Sequence, residues 1–112
     1  MALLLLSLIG CGDGSTQDPS ELPYVVTAID YHFHDAHPSL PISLDRTLIF
    51  RNGGRNIHNV TIIGTDFNRD LPVEGELVIE PVSSLLSDPG LYDFVCTYHQ
   101  DREMSGVLVL ED

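Results

Sequence analysis

The sequence predicts an all-β sandwich or barrel, and three observations carry that reading. From Tyr24 onward, apolar residues recur with a period of two rather than 3.6. The apolar runs are short and are separated by Gly- and Pro-containing turn clusters such as Asn52-Gly53-Gly54 and Asp88-Pro89-Gly90. No stretch has both the length and the periodicity of an amphipathic helix.

Taken in order, the first run alternates Val25, Thr27, Ile29, Tyr31 and Phe33 against Asp30, His32 and His34. It predicts one strand with a buried odd-numbered face and a wet even-numbered face. A second strand is expected over residues 47–51, ending at the Asn52-Gly53-Gly54 turn, and a third over 58–63, ending at Gly64. A fourth covers about residues 76–82, and residues 83–88 offer a single helical turn. A fifth, residues 91–96, runs directly into a loop rich in metal-binding side chains, and a last strand over 106–110 closes the domain.

The chain has 112 residues, enough for one core and too few for a multi-domain enzyme. Residues 1–10 are expected to be a signal peptide of lipoprotein type, 11–22 a flexible tether and 23–112 the folded domain. The run Leu3-Leu4-Leu5-Leu6-Ser7-Leu8-Ile9-Gly10-Cys11 is too short to span a bilayer, which needs about 20 apolar residues, but suits a signal-peptide core. Its close, Leu8-Ile9-Gly10-Cys11, resembles a lipobox, which implies lipidation at Cys11; an ordinary cleavage site is the alternative. Nothing basic precedes the leucines. Either reading exports the domain to a periplasmic or other extracytoplasmic location.

The net charge is −12, from 17 acidic residues against five arginines and no lysine. Such a chain is repelled by nucleic acid and by anionic lipid, and is attracted to basic protein partners. The acidic residues carry no pattern of paired catalytic carboxylates, and no catalytic residue is expected. Asp101 and Glu103 are candidates for a docking surface, or simply part of a generally acidic one.

The chemistry concentrates in Cys96-Thr97-Tyr98-His99-Gln100-Asp101-Arg102-Glu103-Met104. A thiolate, an imidazole and a thioether fall in one loop between two strands, and His58 opens another strand. Thiolate and thioether stabilise Cu(I), and imidazole also accepts Cu(II), so the set favours copper. Zinc, the chemical rival for Cys and His, ordinarily takes a fourth Cys, His or carboxylate rather than methionine. His32 and His34 lie at i and i+2 on one strand face, with His37 nearby. They are read as solvated histidines; the sharper alternative is an auxiliary metal site.

Cys96-x2-His99-x4-Met104, His58-Asn59, the lead-in Pro89-Gly90-Leu91-Tyr92-Asp93-Phe94-Val95 and the trailing Ser105-Gly106-Val107-Leu108-Val109 together resemble the cupredoxins, of the plastocyanin and pseudoazurin type. The resemblance implies a Greek-key β-sandwich or barrel of about seven or eight strands. It also implies one copper ion held by His58, Cys96, His99 and Met104, and single-electron transfer with redox proteins such as a cytochrome or a respiratory or denitrification enzyme. Asn59 would tie the two ligand segments together through Thr97, and His99 would show its ring edge at the surface. The charged Gln100-Asp101-Arg102-Glu103 segment departs from the proline or glycine often found there, which bears most on Met104. No oligomer signal is visible, so a monomer is expected. A copper delivery or buffering role is the alternative function.

Overall fold

The computed structural model describes residues 22–35 and 41–112. The expected signal peptide, Cys11, almost all of the tether and His37 lie outside the described residues. The described residues form nine strands: β1 (Tyr24–Ile29), β2 (His32–Asp35), β3 (Ile42–Ser43), β4 (Leu48–Asn52), β5 (His58–Ile62), β6 (Asn68–Leu71), β7 (Glu76–Ile79), β8 (Gly90–Val95) and β9 (Ser105–Glu111). One sheet has the order β2-β1-β4-β7 and the other β3-β9-β8-β5-β6. Neighbours in each sheet are often not consecutive in sequence, so the connections cross between sheets, as a Greek-key sandwich requires. β1 runs parallel to β4, and β3 runs parallel to β9.

Period-two burial is the rule. Leu48 and Phe50 on β4, and Leu108 and Leu110 on β9, point inward, whereas Val107 and Val109 face out. The first strand departs from the expected pattern. It ends at Ile29, and a turn at Asp30 and Tyr31 sends the chain back as β2, which pairs antiparallel with it from Ile29↔His32 to Val26↔Asp35. The buried face of β1 is therefore the even one, with Tyr24, Val26 and Ala28 inside and Ile29 exposed. After the turn the parity reverses: Phe33 packs on the core, and His32 and His34 point to solvent. The strand count also exceeds the expected seven or eight, because β3 and the polar edge strand β6 carry little apolar signal. The fourth expected strand stops at Ile79, and the helical turn is a 3-10 turn over Val82–Ser84.

The two sheets meet across an aromatic stack. Phe94 of β8 packs edge-on against Phe33 (4.8 Å between centroids) and Phe50 (5.2 Å), both from the opposite sheet. Such pairs add about 0.5–1.5 kcal/mol beyond their area burial. The stack explains Gly106 on β9. A Cβ built there would sit 2.4 Å from Phe94 Cζ, and a ring wedged between two others cannot yield. Gly106→Ala is therefore expected to destabilise the apoprotein by about 1–3 kcal/mol through overpacking. Urea unfolding checks this: the midpoint falls while the slope stays unchanged.

Candidate metal centre

β5 and β8 are paired only at Thr61↔Val95 and Ile62↔Phe94. Beyond that rung, toward His58 and Cys96, their backbones no longer bond to one another in the ladder, and side chains take over. Asn59 is the principal bridge. Its Oδ1 accepts hydrogen bonds from the Thr97 backbone N–H (3.2 Å), the Thr97 hydroxyl (3.0 Å) and the Thr61 hydroxyl (2.8 Å). Its Nδ2 donates to Asn68 Oδ1 on β6. The hydrogen bonding of Asn59 to Thr97 that the family resemblance implies is present.

The ligand atoms of His58, Cys96 and His99 lie within 4.8 Å of one another, the one such cluster of His, Cys, Asp and Glu among the described residues. Cys96 Sγ and His58 Nδ1 are 3.9 Å apart. His58 and Cys96 have no exposure, and Met104 is 1% exposed. Met104 is reached from Cys96 across the base of the loop, where the Cys96 N–H donates to the Met104 carbonyl at 2.9 Å. Met104 stays buried behind the charged segment that precedes it. That segment folds into 3-10 turns over Thr97–Arg102 that end at Glu103 in the left-handed region (φ 57°). Tyr98 anchors the loop from outside by donating its hydroxyl to the Asp70 carboxylate, which also raises the phenol's pKa.

His99 is partly exposed, while its Nε2 is shielded from solvent and has no hydrogen-bond partner. The Tyr31 ring meets it edge-on at 5.2 Å between centroids, and the Arg102 guanidinium lies over Tyr31 at 4.3 Å. The surface at this end of the sandwich thus presents Tyr31 together with His99.

The loop before His58 is ordered by residues that the sequence reading passed over. Asn52, buried at the end of β4, donates to the carbonyls of Asn56 (2.8 Å) and Leu71 (2.9 Å) and accepts from Gly54 N–H (2.8 Å). Asp30 Oδ1 accepts from the backbone N–H groups of Arg55 (2.9 Å) and Asn56 (3.3 Å) and lies 3.5 Å from His58 Nε2. The Arg55 N–H is the main reason its carboxyl is held below the usual carboxylate range. Asn52 read only as a turn former, and Asp30 as one member of a wet strand face. The Asx chemistry of Asn52 ahead of two glycines was the available signal.

The donor set fits a metal. Burial pushes the His58 imidazole below its ordinary pKa, neighbouring His99 acts in the same direction, and Asp30 opposes them. His58 is therefore neutral at neutral pH, the form that keeps a lone pair for coordination. Burying a free thiol, two imidazoles and a thioether together costs free energy that metal coordination through the clustered donor atoms would offset. Two soft sulfurs and two imidazoles suit copper better than zinc. Exposed His32 and His34 are not part of the cluster.

The sequence matches no protein-family model and no curated protein sequence. Solved structures do match. Amicyanin from Paracoccus versutus is 21% identical, with a TM-score of 0.58 over 80% of this chain and 81% of its own. The purple cupredoxin from Nitrosopumilus maritimus is 16% identical, with a TM-score of 0.57 over 80% of this chain and 98% of its own. Auracyanin from Roseiflexus castenholzii is also 16% identical, with a TM-score of 0.56 over 80% of this chain and 97% of its own. The chain has the cupredoxin fold.

The bridge at Asn59 yields a direct expectation. Asn59→Ala leaves the buried end of the β5–β8 pair without its link, so the apoprotein should lose about 1–3 kcal/mol. The metal site should also bind more weakly. Urea unfolding of the apoprotein and a metal titration measure the two effects separately.

Proposed function

We propose that this cupredoxin-fold domain holds one copper ion in a type 1 (blue) site and shuttles single electrons between redox proteins. The observation that carries the reading is the convergence of His58, Cys96 and His99 ligand atoms within 4.8 Å, with buried Met104 joined to Cys96 through the backbone. His58, Cys96, His99 and Met104 would hold the ion, the sulfur donors favouring Cu(I) and the imidazoles also accepting Cu(II). When bound, copper supplies a one-electron Cu(II)/Cu(I) couple. The protein's part is to hold one ligand geometry through both oxidation states. Asn59 and Thr97 tie the two ligand segments, and the Cys96 N–H to Met104 carbonyl bond closes the loop.

Four side-chain donors leave no open coordination position for a substrate, which supports a carrier rather than an enzyme. The burial of His58, Cys96 and Met104 weighs against the delivery or buffering alternative, since metal exchange needs an accessible route to the ligands. Electrons would pass at the His99 and Tyr31 end of the sandwich. The net charge of −12 supports basic partners, such as a cytochrome or a respiratory or denitrification enzyme, meeting this face in a small transient interface. The Leu8-Ile9-Gly10-Cys11 segment supports export and lipid anchoring at Cys11, which would keep the carrier at a membrane surface.

The test is the visible absorption and EPR spectrum of the chain loaded with Cu(II). An intense blue or purple charge-transfer band with narrow copper hyperfine splitting is expected, bleached reversibly on reduction and abolished in Cys96→Ser. A pale protein with an ordinary copper signal, unchanged in Cys96→Ser, would refute the reading. Met104→Leu should keep the thiolate band and copper binding while shifting the reduction potential, because the Met104 thioether would tune the couple rather than anchor the ion. Spectroelectrochemistry of the two proteins side by side checks this.

A further inference from the structure

The turn between β1 and β2 reaches both histidines of the cluster with two consecutive side chains. Asp30 meets His58 from behind, and Tyr31 covers His99. The backbone accepts a cost to do so, since Tyr31 adopts a left-handed φ of 74° that a bulky residue rarely takes. His58 is wholly buried, its Nδ1 faces Cys96 Sγ at 3.9 Å, and its Nε2 has no hydrogen-bond partner. Beside that nitrogen lies the Asp30 carboxylate, at 3.5 Å, a charge contact slightly longer than a direct hydrogen bond. The carboxylate is itself fixed. It accepts the N–H groups of Arg55 and Asn56, and Gly54 leaves it room: a Cβ there would come within 2.4 Å of Asp30 Oδ1.

We propose that Asp30 is a positioning residue for His58: its carboxylate holds the imidazole proton on Nε2, presents the Nδ1 lone pair to the metal position beside Cys96, and places a fixed negative charge behind that ligand. A neutral imidazole carries one proton, and a carboxylate acceptor on one nitrogen selects the tautomer that frees the other. Carboxylates behind metal-bound histidines act in this way, orienting the ring and raising its basicity, and their loss typically costs about 10–100-fold in metal affinity. A negative charge this close favours the more positive oxidation state, so Asp30 would strengthen Cu(II) binding more than Cu(I) binding. The copper part of the inference rests on the function proposed above; the tautomer part does not.

Two measurements separate them. In the apoprotein, ring nitrogen-15 chemical shifts at a pH where His58 is neutral should show the proton on Nε2, and Asp30→Ser should shift the population toward the other tautomer. Predominant Nδ1 protonation in the wild type, or no change in Asp30→Ser, overturns the proposal whatever metal the site takes. In the loaded protein, Asp30→Asn keeps the shape and an acceptor for the Arg55 and Asn56 N–H groups but removes the charge. It should lower the ratio of Cu(II) to Cu(I) affinity about tenfold, which corresponds to a reduction potential about 59 mV higher for a one-electron couple. An unchanged potential in Asp30→Asn, with the blue spectrum intact, overturns the charge role. A wild type that binds no copper refutes the copper reading alone and leaves the tautomer result to decide the role of Asp30.

Discussion

The candidate site depends on the place where β5 and β8 stop pairing. A ladder that continued to the ends of both strands would bring the two backbones together and leave no gap for an ion between His58 and Cys96. Here the pairing ends at Thr61↔Val95, and the Asn59 side chain spans the opening by accepting from the Thr97 N–H and hydroxyl. A backbone rung has been replaced by a side-chain strut. The strut keeps the strands at a set separation while their ends part, and the donor atoms occupy the space so made. Asn59 is itself buried and bonded at both ends of its amide, so it cannot swing aside without leaving polar groups unsatisfied.

Around that gap, rigidity comes from several directions. The sandwich core reaches the site through Phe94, two residues before Cys96 and clamped between Phe33 and Phe50 of the other sheet. The ligand loop is closed at its base by the Cys96–Met104 backbone bond and pinned from outside by Tyr98 on Asp70. The loop before His58 is held by Asn52, whose amide bonds to Asn56, Leu71 and Gly54 together. The two segments that carry the candidate ligands are therefore braced from several elements of the fold.

Much of the fold and most of the site were legible in the sequence because both rest on local signals. A cysteine, a histidine and a methionine spaced along one loop announce a site by chemistry alone, and strands such as residues 106–110 announce themselves by alternation. What the sequence hid was set by tertiary context. The odd-numbered apolar positions from Val25 to Phe33 read as one strand, yet the chain turns at Asp30 and Tyr31 and the buried face changes parity across the turn. The even set, Tyr24, Val26 and Ala28, then goes inside, which the exposed Ile29 had masked. Edge strand β6, Asn-Arg-Asp-Leu, has one buried residue and could not be seen by hydrophobic periodicity. Asp30 was hidden by the same error: a residue placed mid-strand on a wet face has no reason to touch a ligand, whereas one at a hairpin tip does.

Burial also bears on which task suits the site. A protein that hands copper on must let a competing ligand approach the ion, and the least protected donors set that rate. Here three of the four donor residues are closed to solvent, and the fourth, His99, is partly roofed by Tyr31 with Arg102 above it. On the His99 side, a ligand approaching an ion held there would have to displace an aromatic ring and a stacked guanidinium. An electron needs no such opening. In the proposed role it would cross packed side chain, and the dry, tightly held surroundings that obstruct ligand exchange would also limit the solvent rearrangement that accompanies a change of charge. The features that would make the site a poor donor of metal are those that would suit the proposed passage of electrons through the His99 face.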